Sequence, residues 1–451
     1  MTVLEREHRN ACGRVLYDGQ DDVHAALAGA SAASMIKRKQ IAVLCTLDTK
    51  SEHGAFVARI IEGRGHAAML IDIGVLGEPG FAATITRREI AGAAGADLDA
   101  LAAAKDRGAA LKVMAAGAVA TVTRLQRDGL LDGIIGLGGG SGTAVASAAM
   151  RALPVGFPKV MISTMASTGK AASYVGTRDV VMVNTITDII GMNPILRSVM
   201  ANGAAAICGM VEVGWRIESV RNDPQRPTVA ITAFGTTTPA AMRCHELLTK
   251  AGCETLIFHA NGTGGRAMEE LVEQGAIDAV LDLTTTELAD ELCGGFLSAG
   301  PLRLQAAGIR GIPQVVLPGA LDMVNFTTPD TVPSRYQNRL LHAHSPNTTL
   351  MRTTAEENAV LGRWVGGKLA RAKRRAVLIL PLGGFSIYDR AGGIFYAPGS
   401  DQAFMEEAAR SLGDRGEIIR IDANINDAVC AEIAAVRLLD MLQPQDVSFV
   451  H

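Results

Sequence analysis

The chain has 451 residues, enough for two or three domains, and its 43 Lys plus Arg nearly balance 46 Asp plus Glu, a formal charge of −3. Such a balance provides no global field to draw in nucleic acid or an anionic membrane. Aromatic residues at 4% argue against stacking platforms for single strands, and the hydrophobic 48% must be built mainly from Ala, Val, Leu and Ile.

Residues 1–40 read as a polar N-terminal extension with an Ala-rich helix near 22–35 and no secretory leader. Regular alternation starts at Ile41. Ile41–Cys45 is a short apolar run ending in Thr46 and Asp48, the pattern of a buried parallel strand. A helix over 52–64 and a second strand over 67–73 follow. Residues 98–129 read as helical with a break near Gly108. Strands are expected at 132–137 and 158–163, the first running into Gly138-Gly-Gly-Ser-Gly-Thr143 and an Ala-rich helix. This alternation predicts a doubly wound parallel sheet over 41–210.

Residues 211–227 interrupt the apolar runs with Arg, Asn, Asp and Pro and read as a link. The pattern restarts with strands at 227–234, 255–259 and 279–283 and helices at 240–251 and 266–275. Later strands are expected at 314–318, 376–381 and 417–422. The prediction is an α/β chain with two Rossmann-like domains, 41–210 and 226–446, each a mostly parallel sheet flanked by helices.

Open parallel sheets bind ligands beyond the carboxyl ends of their strands. Gly136-Leu-Gly-Gly-Gly-Ser-Gly-Thr143 is the strongest such segment. A strand, a Gly-rich loop and a helix bring backbone N–H groups to an anion at the helix's positive end. The spacing is neither a P-loop nor a dinucleotide fingerprint, and a tight packing turn is the alternative. Asp48-Thr49-Lys50 offers a carboxylate, a hydroxyl and an ammonium, suited to Mg²⁺, ribose and phosphate, or else to a helix cap. Arg107 is a nearby cation able to fork onto phosphate.

The second half offers His259, Asp282 and Glu287 as candidate catalytic groups for acid/base work or a divalent metal. Their alternative roles are helix capping and core hydrogen bonding. Gly262-Thr-Gly-Gly265, with Arg266 at its rim, is a second anion-cradle candidate. His342-x-His344 would share a strand face, as a metal pair or as two surface histidines. The seven cysteines are scattered, with no Cys-x-x-Cys, and read as core residues in a reducing compartment. Arg371, Lys373, Arg374 and Arg375 read as a solvated helix end.

Thr46-Leu-Asp-Thr-Lys50, the Gly136–Thr143 loop, Pro158–Thr164 and Tyr174-Val-Gly-Thr177 occur in order, followed by Phe258–Glu269, Leu283–Glu287 and Gly319–Phe326. In these motifs the chain resembles a poorly characterised bacterial and plant family, over roughly residues 40–440. That family includes the ATP-binding N-terminal domain of the tomato mosaic virus resistance protein. The resemblance implies two Rossmann-like domains with ATP bound by the first, and Asp48 would orient an accompanying Mg²⁺. By motif the contacts would be Asp48, Thr49, Lys50, Arg107, Gly139, Gly140, Ser141 and Gly142. A family Thr after the second strand falls on Val75, and the loop reads Gly-Gly-Gly-Ser-Gly where the plant member has Gly-Gly-Ser-Gly-Gly.

The leading expectation is a cytoplasmic ATP-binding protein, coupled to a small-molecule second substrate or regulated by the nucleotide. Metal-assisted hydrolysis or lysis of a small carboxylate in the second domain, or a non-catalytic oligomeric scaffold, are the alternatives. The Ala- and Gly-rich composition suits close helix packing in a homodimer or larger assembly.

Overall fold

The computed structural model describes residues 37–214 and 226–443. Most of the expected extension 1–40, residues 215–225 of the expected link, and 444–446 lie outside them. The described residues fall into two compact units, one of 37–175 with 179–214, the other of 176–178 with 226–443.

The first unit is built on β1 (Gln40–Cys45), β2 (Ala67–Asp72), β3 (Gly133–Gly138), β4 (Lys159–Ser163) and β5 (Val181–Asn184). They pair in parallel in the order β2-β1-β3-β4-β5. β3 and β4 are buried along their whole length because helices cover both faces. Val145, Met150 and Met114 pack on one side, Val57, Ile61, Met200 and Ile207 on the other. The helices are α1 (Ser51–Gly63), α2 (Arg87–Ala93), α3 (Leu98–Ala104), α4 (Arg107–Arg127), α5 (Gly140–Arg151), α6 (Ala171–Val175) and α7 (Pro194–Val213). α4 and α7 are long and apolar enough to cross a membrane, and each buries one face in these cores.

The helical break expected near Gly108 falls instead at Lys105, whose φ is +53°. Asp106 then caps α4 by accepting from Ala109 N at 3.0 Å. A capping carboxylate satisfies a first-turn amide, so it starts a helix where composition alone shows continuity.

The second unit's main sheet runs β14-β13-β9-β8-β6-β7, all parallel. Its strands are β6 (Thr228–Ala233), β7 (Glu254–His259), β8 (Ala279–Thr284), β9 (Gln314–Gly319), β13 (Val377–Pro381) and β14 (Glu417–Ile421). α8 (Thr238–Lys250), α9 (Thr263–Glu273), α10 (Glu287–Cys293), α11 (Ala306–Arg310), α12 (Ala355–Leu369), α13 (Pro398–Leu412) and α14 (Ala428–Leu442) complete it. A separate antiparallel sheet of β10 (Met323–Phe326), β11 (Leu341–Ser345) and β12 (Thr348–Arg352) was not expected from the sequence. These strands are short and mix polar with apolar residues, so they lack the apolar run that marks the parallel strands.

Both parallel sheets share one plan. The second strand lies outside the first and the third lies on the other side, so the chain reverses direction between first and third. That reversal opens a crevice at the carboxyl ends of β1/β3 and of β6/β8.

Candidate functional site

In the first unit the crevice is a cavity of about 550 Å³. Asp48, Thr49 and Lys50 enter it from the turn after β1, Gly139–Gly142 from the turn after β3, and Arg107 from α4. Every residue named above as a nucleotide contact therefore lines one space. Ile73, Val75, Leu101 and Leu111 give it an apolar wall, and Lys105 adds a cation. The sequence did not single out Leu101, Lys105 or Leu111, because an Ala-rich helical stretch does not reveal which face meets a ligand.

Asp72 shapes the floor. Its buried Oδ1 accepts from Leu47 N at 3.0 Å and Gly74 N at 2.9 Å, tying together the turns after β1 and β2. Thr49 Oγ1 donates to Asp48 Oδ1 at 3.1 Å, and Lys50 Nζ donates to Ile189 O at 3.2 Å. Arg107 Nη2 donates to Ser141 Oγ at 2.6 Å.

The Gly-rich loop suits an anion for a specific reason. The N-cap of α5 is Gly139, without a side-chain cap, and the first helical bond runs from Thr143 N to Gly139 O at 2.8 Å. The amides of Gly140, Ser141 and Gly142 precede that bond and face no intrahelical acceptor. A Cβ on Gly140 would meet only Tyr174 Oη, at 3.9 Å, so the space beside the loop at that position is open. Open amides, the positive end of a helix, Lys50 and Arg107 form a donor set for phosphate oxygens. Asp48 and the α4-capping Asp106 are the carboxylates among the cavity's lining residues, and Asp48, next to Lys50, is the one suited to a divalent cation carried with them.

Cys45 ends β1 close by. Burial, reinforced by Asp72, pushes its thiol up to about 12, so it stays protonated at neutral pH and is no nucleophile.

The second unit fills its crevice with its own side chains. Thr232 Oγ1 donates to Asp282 Oδ1 at 2.8 Å, and the Thr237 and Thr284 hydroxyls meet at 2.7 Å. Asp282 and Glu287 are brought together, on the buried Arg303. Arg303 Nη2 donates to Asp282 Oδ1 at 2.7 Å and Nε to Glu287 Oε2 at 2.5 Å, while Nη1 reaches Glu269 at 3.3 Å. Burial opposes the guanidinium charge, but Asp282, Glu287 and Glu269 outweigh it and hold its pKa well above the ordinary value.

Glu287 also occupies the second anion cradle. Its Oε1 accepts from Gly262 N at 2.7 Å and Gly265 N at 3.0 Å, at the start of α9. A Cβ on Gly265 would come within 2.0 Å of Glu287 Oε2, so glycine is needed for the carboxylate to enter. His259 is exposed and stacks on Phe234 with centroids 5.5 Å apart. It is hydrogen-bonded to neither carboxylate among the described residues, and β6 lies between its strand and β8, which carries Asp282. His342 and His344 both pack against Tyr388, with His344 Nδ1 2.9 Å from the phenol oxygen. Among the described residues no group of three or more His, Cys, Asp or Glu is placed to share a metal ion.

Comparison with known proteins agrees with this two-unit architecture. Residues 39–215 match the N-terminal domain, and residues 226–442 the C-terminal domain, of an uncharacterised protein family, UPF0261. The chain belongs to the UPF0261 family. A UPF0261 protein of Clostridium tetani is 44% identical over 406 residues, covering 90% of this chain and 99% of its own length. A second, from Rhizobium meliloti, is 40% identical over 408 residues, covering 90% and 100%. The tomato ToMV resistance protein Tm-1(GCR237) is 40% identical over 340 residues, 74% of this chain but 45% of the tomato protein. The open crevice of this UPF0261 chain thus lies in the N-terminal family domain, and the Arg303 cluster in the C-terminal one.

Proposed function

We propose that this UPF0261 protein binds ATP, with Mg²⁺, in the crevice of its N-terminal domain. The observation that carries the reading is that Asp48, Thr49, Lys50, Arg107 and Gly139–Gly142, far apart in sequence, line one cavity of about 550 Å³. The volume suits a nucleotide-sized ligand. In this reading the amides of Gly140, Ser141 and Gly142 hold phosphate oxygens. Lys50 and Arg107 neutralise their charge, Asp48 binds the cation, and the apolar wall receives the base. The family resemblance supports the same ligand.

Calorimetric titration of ATP, with and without Mg²⁺, tests it. Saturable binding that Lys50→Ala weakens is the expected result. Absence of binding by the folded wild type would refute the reading.

A further inference from the structure

A second cavity, of about 270 Å³, lies wholly within the C-terminal domain, between α12 and the segment 288–305. Leu288 and Trp364 supply its apolar lining, and Lys368, Arg371 and Arg363 its cations. Glu291 is the carboxylate among its lining residues, and its Oε2 already accepts the Ser298 hydroxyl.

Lys368 has an unusual set of partners. Its Nζ donates to two backbone carbonyls, Pro301 O and Arg303 O, each at 2.6 Å. No carboxylate lies within ion-pair distance of it among the described residues. Two carbonyls occupy two of the three outward positions on a tetrahedral nitrogen. The third carries a proton in the ammonium and the lone pair in the free amine. A lysine that is half-buried, unpaired with an acid and set near other cations is the arrangement that activates an amine as a nucleophile.

We propose that this cavity binds a small 2-oxo acid, with its carboxylate on Arg371 and its carbonyl carbon presented to Lys368 Nζ for imine formation. In that step the neutral amine attacks the carbonyl carbon and a C–N bond forms. The carbonyl oxygen takes up two protons, one from the attacking nitrogen and one from solvent, and leaves as water, so the product is the protonated imine. No oxidant or reductant is required. The physical setting raises the share of neutral amine above that of an ordinary lysine: burial first, then Arg303 and Arg371, brings Lys368 down to about 8 against the raising effect of Glu269 and Glu291. A cavity of this size admits a ligand of a few heavy atoms beside the Trp364 ring.

The test is reductive trapping on the full chain, with pyruvate as the probe, cyanoborohydride as the reductant, and peptide mass mapping as the readout. Lys368 should be modified at least tenfold faster than the other lysines, with a pH midpoint near 8. Arg371→Ala should slow trapping at Lys368 severalfold, and acetone, which lacks the carboxylate, should label it poorly. Lys368→Arg, which keeps a donor for both carbonyls, should fold and abolish the fast phase. Labelling spread evenly over the lysines would overturn the proposal. So would trapping at Lys368 that is indifferent to Arg371→Ala, or equally fast with acetone.

Discussion

Arg107 Nη2 donates to Ser141 Oγ at 2.6 Å, joining the first turn of α4 to the first turn of α5 beside the Gly-loop amides. The guanidinium is thus held beside the Gly-loop, where in the proposed reading it and the open amides would act on one anion. Replacing Arg107 by Ala should weaken ATP binding by about 1.5–3 kcal/mol, the range for a hydrogen bond to a charged group. Ser141→Ala, which removes only a tether, should cost less. Equal affinity for wild type and Arg107→Ala in titration would remove Arg107 from the site.

Gly140 separates a ligand effect from a folding effect. An added Cβ meets nothing closer than 3.9 Å, and the position does not have the left-handed φ that favours glycine. Gly140→Ala should therefore leave the thermal midpoint unchanged or raise it, since alanine favours the helix by roughly 0.4–1 kcal/mol through the unfolded chain. In the proposed reading the same methyl enters the space of the bound phosphates and should weaken ATP binding at least tenfold. Thermal melts and titrations on one preparation give both answers.

Arg303 is the counterpart in the C-terminal domain, and there the prediction concerns stability. Its buried guanidinium neutralises Asp282 and Glu287, both shielded from water. Removing one partner of a buried ion pair costs about 3–5 kcal/mol, because the remaining charge is left uncompensated. Arg303→Met should destabilise the protein by that order in denaturant titration. A loss below about 1 kcal/mol would contradict a stabilising ion-pair role for Arg303.

Asp290 predicts a pH dependence. Burial, against hydrogen bonds from Asn325 and Leu297, pushes its carboxyl up to about 7 from an ordinary 3.8. The folded state then holds a proton that the unfolded state releases. The contribution to stability is largest below the unfolded pKa and is lost as pH rises toward 7. Asp290→Asn removes this titration. The stability difference between variant and wild type should shift by about 1 kcal/mol per pH unit between pH 5 and 7, in favour of the variant at the higher pH. Parallel curves for the two proteins would contradict it.

The ten main parallel strands were legible because each is a compact apolar run closed by polar or Gly residues, as in Ile41–Cys45 and Ala279–Leu283. β5 was missed because Val181–Asn184 is a short edge strand, and β10 to β12 because their polar residues break the pattern. The first crevice was legible because Asp48–Lys50 and Gly139–Gly142 follow their strands directly, whereas Arg107, on α4, was assigned as a contact only through the family motif. The fate of Asp282 and Glu287 was not, because the group that decides it, Arg303, lies 16 residues beyond Glu287 in a segment without regular periodicity. No local pattern marks a buried arginine as the partner of two strand-end carboxylates.

The most direct measurement is calorimetric titration of Mg-ATP into wild type and Lys50→Ala at one salt concentration. A saturable wild-type isotherm that the substitution weakens by about 1.5–3 kcal/mol places the phosphates between Lys50 and the amides of Gly140–Gly142. Identical isotherms for the two folded proteins, or no heat from either, would contradict nucleotide binding in this crevice.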